Sequence, residues 1–237
     1  MNILLTNDDG YNSEGILLLK KKLAKYGKVV LFAPYRHMSA KSVSLTLGEG
    51  TKLYRISDDT FAFDGTPADC VAFALSQLNV DFDLVVSGCN NGLNVSYDIL
   101  FSGTVGACAQ ALIHGKKAIA FSQLGDFPLV DKYFDDVFDF VLKHNLLSNE
   151  YMLNVNFPTS GDVKDIKLAK QCYQKANLYY LKNDNDEYIA KRVLIPEEYP
   201  KDTELYMINH DIVAITPLGR DYFNINIYNK LKKEIDN

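Results

Sequence analysis

Short apolar runs alternate with amphipathic stretches along the first two thirds of the chain. Residues 3–5 and 29–33 are apolar at every position, which is typical of strands buried on both faces of a sheet. Between them, Ile16, Leu19 and Leu23 recur at helical spacing. Further strands are predicted at residues 83–88, 118–121 and 152–156. This order predicts a doubly wound, mostly parallel Rossmann-like α/β sheet with helices on both faces.

The segments between these apolar strands carry residues typical of turns and of helix caps. Residues 53–56 and 61–63 predict two short strands that form a hairpin excursion. Thr66 followed by Pro67 predicts a helix start, because threonine caps a helix and proline suits its first position. Further helices are predicted from about residue 102 and over residues 133–143.

The pattern changes after Pro158. Strand-like pieces rich in tyrosine follow, before an apolar strand at residues 212–216 and a short amphipathic tail. We therefore predict a Rossmann-like metal- and phosphate-binding core over residues 1–158. A β-rich C-terminal extension at residues 159–237 is expected to belong to the same domain and to take part in oligomerisation.

Composition narrows the class of protein. The chain has 237 residues, of which 47% are hydrophobic and 23% charged, as in ordinary globular proteins. A formal net charge of -5 argues against binding of a nucleic-acid polymer. A small phosphorylated ligand stays compatible, because a metal ion or a helix N-terminus binds phosphate without a basic surface. Without a leader or an apolar stretch of bilayer length, we expect a cytoplasmic protein and no membrane partner.

Cysteine spacing argues against a disulfide framework and against a zinc ribbon. The four cysteines show no C-x-x-C pairing. They are Cys70, Cys89, Cys108 and Cys172.

Three polar loops each follow a predicted strand, at residues 7–13, 35–44 and 87–104. With the common strand order, these loops share one crevice at the carboxyl edge of the sheet. The first loop carries the adjacent carboxylates of Asp8 and Asp9, whose mutual repulsion a divalent cation would offset. A simple turn explains Asn7-Asp8-Asp9-Gly10 equally well, because these residue types favour turns.

The third loop suits a metal and a phosphate. Asn90, Asn91 and Asn94 offer amide oxygens, and Ser102-Gly103-Thr104 places small residues at a helix N-terminus, where an oxyanion binds well. The structural alternative makes Ser102 an N-cap and the asparagines turn formers.

Seven blocks of the sequence carry these and other polar residues in one order. They are NDDG at residues 7–10 with Gly15, residues 39–46, GTPADC at 65–70, SGCNNGLN at 87–94, SGTV at 102–105, NVNFP at 154–158 and TPL at 216–218. Together they resemble the SurE family of stationary-phase survival proteins, which are metal-dependent 5'-nucleotidases. The resemblance runs from Met1 to about Leu218.

The resemblance implies a function and a site. It implies hydrolysis of nucleoside 5'-monophosphates, and leaves open whether 3'-monophosphates and short polyphosphate are also cleaved. It also implies a homodimer or homotetramer. One divalent cation per subunit, Mn²⁺ or Mg²⁺, is then held by Asp8, Asp9, Ser39 and Asn90. The phosphate is surrounded by Asn94, Ser102, Gly103 and Thr104. Departures from the family pattern at Tyr35, Met38 and Ala169-Lys170-Gln171 leave substrate preference open.

We expect water to attack the phosphorus directly, with Asp8 or Asp9 as the catalytic group that accepts its proton. A haloacid-dehalogenase-type phosphatase is the nearest rival, but its two aspartates stand at i and i+2. A serine hydrolase is disfavoured because the chain has no G-x-S-x-G elbow. A nucleotide-binding sensing or assembly module without turnover is the remaining alternative. His37 lies close to Ser39 in sequence, and its role stays open.

Overall fold

The computed structural model describes residues 1–159, 161–195, 197–219 and 225–235, with backbone alone at residues 225 and 226. The strands are β1 (Asn2–Thr6), β2 (Lys28–Pro34), β3 (Leu53–Arg55), β4 (Thr60–Phe63), β5 (Leu84–Asn91), β6 (Lys117–Gln123), β7 (Tyr151–Asn156), β8 (Asp165–Leu168), β9 (Ala176–Lys182), β10 (Tyr188–Leu194) and β11 (Ile212–Gly219). The helices are α1 (Glu14–Leu23), α2 (Pro67–Gln77), α3 (Asp98–Phe101), α4 (Gly103–Ile113), α5 (Pro128–Lys143), α6 (Glu204–Ile208) and α7 (Ile225–Ile235). Parts of the predicted C-terminal extension, at residues 160, 196, 220–224 and 236–237, lie outside the described residues.

Nine of the described strands form one sheet in the order β3-β4-β2-β1-β5-β6-β7-β11-β8. The pairs from β4 through β2, β1, β5 and β6 to β7 are all parallel. Strand β11 runs antiparallel to β7 and parallel to β8. The predicted α/β fold class is confirmed, and β1 lies between β2 and β5.

The continuous apolar strands are explained by helices on both faces of the sheet. Successive residues of one strand enter different hydrophobic clusters, since side chains alternate along a strand. Ile3 and Leu5 belong to a cluster that includes residues of α1 and α5. Leu4, between them, belongs to a second cluster that includes residues of α2 and α4. None of the described helices is long and apolar enough to span a bilayer.

Two local predictions were wrong. The hairpin of β3 and β4 is not an excursion, because β4 pairs in parallel with β2 and extends the main sheet. The strand predicted to end at Gly88 continues to Asn91, with an irregular register between Ser87 and Asn90. Gly88 permits this course because it has a φ of +127°, and a Cβ there would lie 2.3 Å from the main-chain oxygen of Phe121.

The C-terminal residues divide between the main sheet and a separate hairpin. Strands β8 and β11 extend the nine-stranded sheet, whereas β9 and β10 pair with each other and with none of the other described strands. Every residue of β9 and β10 is exposed, including several tyrosines and leucines. The guanidinium of Arg192 in β10 forms an ion pair with Asp98 of α3. The role of this hairpin in oligomerisation stays a prediction.

Helix α2 begins with the predicted cap. The Thr66 hydroxyl accepts a hydrogen bond from the Asp69 main-chain nitrogen at 3.0 Å, and the Asp69 carboxylate accepts one from the Thr66 nitrogen at 2.9 Å. The Thr66 hydroxyl also donates to the main-chain oxygen of Ser44 at 2.6 Å. This capping box therefore ties the second polar loop to α2.

We expect Thr66→Ala to lower the free energy of unfolding by about 1–2 kcal/mol, because the helix loses its N-cap. Urea denaturation followed by circular dichroism measures the change. Ser76→Ala is the matched control, since Ser76 is exposed near the other end of the same helix, and its effect should stay within about 0.5 kcal/mol. Equal effects of the two substitutions would contradict the capping role.

Candidate active site

A polar cleft of about 270 Å³ lies beyond the carboxyl ends of β1 and β5. The chain leaves these neighbouring strands toward opposite edges of the sheet, so the cleft lies at the topological switch point. Residues of all three polar loops line it, namely Asp8, Asp9, His37, Ser39, Asn90, Asn94 and Ser102. The prediction that these loops share one crevice is confirmed.

The Asn7-Asp8-Asp9-Gly10 segment is both a turn and a source of carboxylates. The Asn7 side chain donates to the Gly10 oxygen at 3.0 Å and accepts from the Gly10 nitrogen at 3.1 Å. Gly10 has a φ of +108°, which allows the chain to turn at once after β1. Asn7 and Gly10 thus form the turn, and Asp8 and Asp9 both line the cleft.

Asp8 is a buried carboxylate with a specific hydrogen-bond donor. Its carboxylate accepts a hydrogen bond from the Thr104 hydroxyl at 2.5 Å. Burial raises the pKa of Asp8 to about 6; the Thr104 hydrogen bond opposes this rise, and the charge of neighbouring Asp9 adds to it. A positive charge beside this carboxylate would stabilise its ionised form.

Asp9 and His37 form the more accessible part of the cleft. The Nδ1 atom of His37 lies 3.3 Å from an Asp9 carboxylate oxygen, and the two side chains are 64% and 19% exposed. The Asn91 nitrogen also lies within 3.4 Å of the Asp9 carboxylate. The structure therefore places His37 beside one of the predicted metal ligands.

Ser39 and Asn90 line the same cleft from the second and third loops. The second loop is tied to the first by a hydrogen bond from the Met38 nitrogen to the Asp8 oxygen at 2.7 Å. The Asn90 amide oxygen lies 3.3 Å from the Thr104 hydroxyl, which also contacts Asp8. All four side chains predicted to hold the cation thus border one space.

The chain just beyond the second polar loop is also held by the capping box of α2. The Asp69 carboxylate accepts hydrogen bonds from the Thr46 nitrogen at 2.9 Å and from its hydroxyl at 2.7 Å. In the sequence, Asp69 stands out only as part of the GTPADC block at residues 65–70. Its contact with Thr46 joins two of the seven blocks across 23 residues of chain.

The small residues at the start of α4 have different surroundings. The Ser102 hydroxyl accepts from the Val105 nitrogen at 3.0 Å, so the structural interpretation of Ser102 as an N-cap is correct. Thr104 is completely buried behind Asp8. A Cβ on Gly103 would lie 2.9 Å from the Asp8 Cβ, so only glycine fits beside this carboxylate without a shift.

Asn94 lines the cleft and is 5% exposed. Its amide nitrogen donates to the Ser122 hydroxyl at 2.9 Å. An amide nitrogen carries two donors, and this one has no second acceptor among the described residues. The sequence does not single out Ser122, because it lies near the end of the mostly apolar strand β6, 28 positions from Asn94.

The sequence of this chain matches a known protein family. The family described as Survival protein SurE matches residues 3–178 of this chain. The chain belongs to the SurE family. The resemblance carried by the seven blocks is therefore confirmed.

Other members of the SurE family match the chain over nearly its whole length. The protein named 5'-nucleotidase SurE from Mannheimia succiniciproducens is 35% identical over 245 residues, which cover 98% of each chain. A protein of the same name from Clostridium botulinum is 34% identical, with coverage of 98% of this chain and 99% of the relative. The crystal structure of the SurE protein from Aquifex aeolicus has a TM-score of 0.86 at 32% identity, and covers 98% of this chain and 99% of that one.

The departures from the SurE sequence pattern lie outside the cleft lining as the described residues define it. Tyr35 stacks on two neighbouring tyrosine rings. Ala169 is buried in a small apolar cluster, and Lys170 pairs with Asp202 at 2.6 Å. Any effect of these residues on substrate preference would therefore be indirect.

The donor atoms around the SurE cleft fit a hard cation. In the described part of the chain, no group of three or more His, Cys, Asp or Glu side chains is placed to hold a metal ion. The cleft instead combines two carboxylates with a hydroxyl and an amide oxygen. Oxygen donors of this kind suit Mg²⁺ or Mn²⁺ better than zinc.

Proposed function

We propose that this chain is a divalent-metal-dependent phosphatase that hydrolyses nucleoside 5'-monophosphates to nucleoside and phosphate. The observation that carries the proposal is the meeting of Asp8, Asp9, Ser39 and Asn90 at one cleft beside the N-terminus of α4. The names of the relatives, 5'-nucleotidase SurE, support the same activity.

In this proposal Asp8, Asp9, Ser39 and Asn90 hold one cation, Mn²⁺ or Mg²⁺. When bound, the cation offsets the two carboxylate charges and polarises the phosphoryl group for attack by water. The Thr104 hydroxyl holds the Asp8 carboxylate in one orientation through their 2.5 Å hydrogen bond. Thr104 therefore acts as a positioning residue in the proposed site.

Asp9 is the better placed of the two carboxylates to accept the proton of the attacking water. Its side chain is 19% exposed and contacts His37, whose side chain is 64% exposed. Asp8, by contrast, is only 4% exposed and is already bonded to Thr104. We assign Asp9 the role of general base and Asp8 that of a buried ligand.

The phosphate is proposed to lie between Asn94 and the first residues of α4. One N–H of the Asn94 amide is free to donate to a phosphate oxygen. The N-terminus of α4 adds partial positive charge, because its first main-chain N–H groups point out of the helix. Ser102 lines the cleft at this end, and Gly103 follows it directly.

The adjacent carboxylates disfavour the haloacid-dehalogenase mechanism. That mechanism requires aspartates at i and i+2 on one side of an extended chain. Here the turn at Gly10 lets two consecutive residues line one cleft. A binding module without turnover is not favoured, because every predicted metal ligand is present at the cleft.

We expect the protein to release phosphate from AMP in the presence of Mn²⁺ or Mg²⁺, and to lose this activity when a chelator removes the metal. Phosphate release is measured colorimetrically, before and after the metal is restored. Asp9→Asn should be inactive under all conditions, whereas Asp162→Asn should retain activity, because Asp162 is exposed, does not line the cleft and pairs with Lys132 and Tyr133. Release that persists with chelator, or no release from any nucleoside monophosphate, would contradict the proposal.

The oligomeric state is part of the same proposal. We propose a homodimer or homotetramer in which the hairpin of β9 and β10 packs on another subunit. Its exposed apolar side chains include Leu178, Leu181, Ile189 and Val193. A surface of this kind is typical of a subunit contact.

A further inference from the structure

The turn that carries Asn94 is bonded by side chains that come from the middle of the sheet. Asn156 contacts both main-chain polar groups of Asn94: its amide oxygen accepts from the Asn94 nitrogen at 2.8 Å, and its amide nitrogen donates to the Asn94 oxygen at 3.1 Å. Asn154 donates to the same oxygen at 2.7 Å. These contacts join residues 60 and 62 positions apart.

Both asparagines stand on one face of β7. They alternate with Val155, which faces the opposite side and belongs to the main apolar cluster. Asn154 and Asn156 are completely buried, in the interior of the sheet between β6 and β11. Apolar residues are the usual occupants of such positions, because a buried amide is costly unless it is hydrogen-bonded.

The side chain of Asn154 has a further cost. Its amide oxygen is buried and has no hydrogen-bond partner among the described residues. A leucine of similar shape would avoid this loss. The donor that Asn154 supplies to the Asn94 oxygen is the compensating interaction that the structure provides.

The other end of the turn is bonded in the same manner. The Ser96 nitrogen donates to the buried carboxylate of Glu204 at 2.7 Å, and that carboxylate also accepts from the Thr216 hydroxyl at 3.1 Å. Ser96 has a φ of +56°, a conformation that few residues adopt unless it is held. The turn is therefore fixed on both sides of Val95.

We propose that Asn156, assisted by Asn154, is a positioning residue that holds Asn94 in the orientation needed to bind the phosphate of the substrate. This inference rests on the proposed function, because it concerns the phosphate end of the same site. Asn156 does not touch the cleft; it acts through the main chain of Asn94, while Ser122 orients the Asn94 side chain. Fixing a ligand group in advance lowers the ordering cost of each turnover.

A double-mutant cycle on kcat/KM for AMP tests the proposal. We expect Asn94→Ala to lower kcat/KM about 10- to 100-fold, and Asn156→Ala to lower it by a similar factor. The double variant should be no worse than Asn94→Ala alone, because Asn156 then has no ligand group to position. Hydrogen exchange should also speed up at the Asn94 amide in Asn156→Ala.

Two further variants separate positioning from stability. Val155→Ala, on the same strand but the opposite face, should lower Tm and leave kcat/KM unchanged. Asn154→Leu keeps the side-chain shape and removes the amide oxygen that has no partner, so we expect it to fold. It can therefore replace Asn156→Ala in the test if that variant does not fold. It should lower kcat/KM when Asn94 is present and have no effect in the Asn94→Ala background.

The outcomes distinguish the two proposals. Multiplicative effects of the two substitutions, or wild-type kcat/KM in Asn156→Ala and Asn154→Leu, would overturn the positioning role while the nucleotidase assignment stands. A wild-type protein that releases no phosphate from any nucleoside monophosphate would overturn both.

Discussion

Asp8→Asn is expected to lower metal-dependent phosphate release by about 1,000-fold or more, since it removes a charged ligand from the centre of the proposed site. The same substitution should stabilise the metal-free protein at neutral pH. These opposite effects follow from one feature. Asp8 is almost fully buried and accepts a hydrogen bond from Thr104, and no Lys, Arg or His among the described residues forms an ion pair with it.

The sign of the stability effect follows from the pKa of Asp8, which burial raises from 3.8 to about 6. A folded-state pKa above the unfolded value favours the protonated carboxyl in the folded protein. The stability that the protonated Asp8 carboxyl contributes is fully present below pH 3.8 and is lost as pH rises through about 6. At pH 7 the loss is on the order of 3 kcal/mol, and an asparagine would not incur it.

Thermal unfolding of both proteins between pH 4 and 8, with and without Mn²⁺, measures these effects. Without metal, the Tm of the wild type should fall between pH 4 and 7, and this fall should be larger than that of Asp8→Asn. Added Mn²⁺ should raise the Tm of the wild type at pH 7. At 100 times the Kd of the metal, the gain in free energy of unfolding is about 2.7 kcal/mol. The Tm of Asp8→Asn should hardly change. A wild type that is the more stable protein without metal at pH 7 would contradict this account.

Gly15→Ala is expected to lower the free energy of unfolding by about 3 kcal/mol or more, as severe overpacking does. Gly15 lies in the first turn of α1, where a Cβ would be 2.1 Å from the main-chain oxygen of Cys89 and 2.9 Å from the ring of Phe127. A main-chain atom in β5 cannot move aside cheaply. Because Asn90 follows Cys89, activity should fall together with stability.

Gly50→Ala is the matched control for this substitution. A Cβ at Gly50 has no neighbour within 4 Å, and the residue does not adopt a positive φ. We expect the change to be neutral or to stabilise the protein by up to about 1 kcal/mol, through the unfolded chain. Guanidinium denaturation of the two variants compares them directly, and similar midpoints would show that the close approach of α1 to β5 is not rigid.

Periodicity predicted the parallel sheet well because its strands are apolar throughout and its helices are amphipathic. It failed where the chain leaves the regular pattern. The polar residues Asn90 and Asn91 indicated a loop, yet they continue β5 beyond an irregular pair. Strand pairing of this kind depends on a neighbour, β6, that lies elsewhere in the chain, and local composition does not report it.

The candidate site was predictable to different degrees. Asp8 and Asp9 stood out because two carboxylates directly follow a buried strand. Ser39 came only from the family resemblance, because one serine in a polar loop has no distinguishing pattern. Asn156 and Glu204 contact the Asn94–Ser96 turn over 62 and 108 residues of chain, so sequence spacing could not join them.

The insertion of β11 between β7 and β8 limits how this fold can be divided or recombined. A fragment ending at residue 158 would expose the edge of β7 along its whole length. It would also remove Glu204 from the Ser96 nitrogen. A crossover between two relatives at that position would therefore combine the Asn94–Ser96 turn of one protein with the Glu204 carboxylate of another. We expect such a chimera to lose the ordered geometry of this turn, and with it phosphate binding, before it loses the fold.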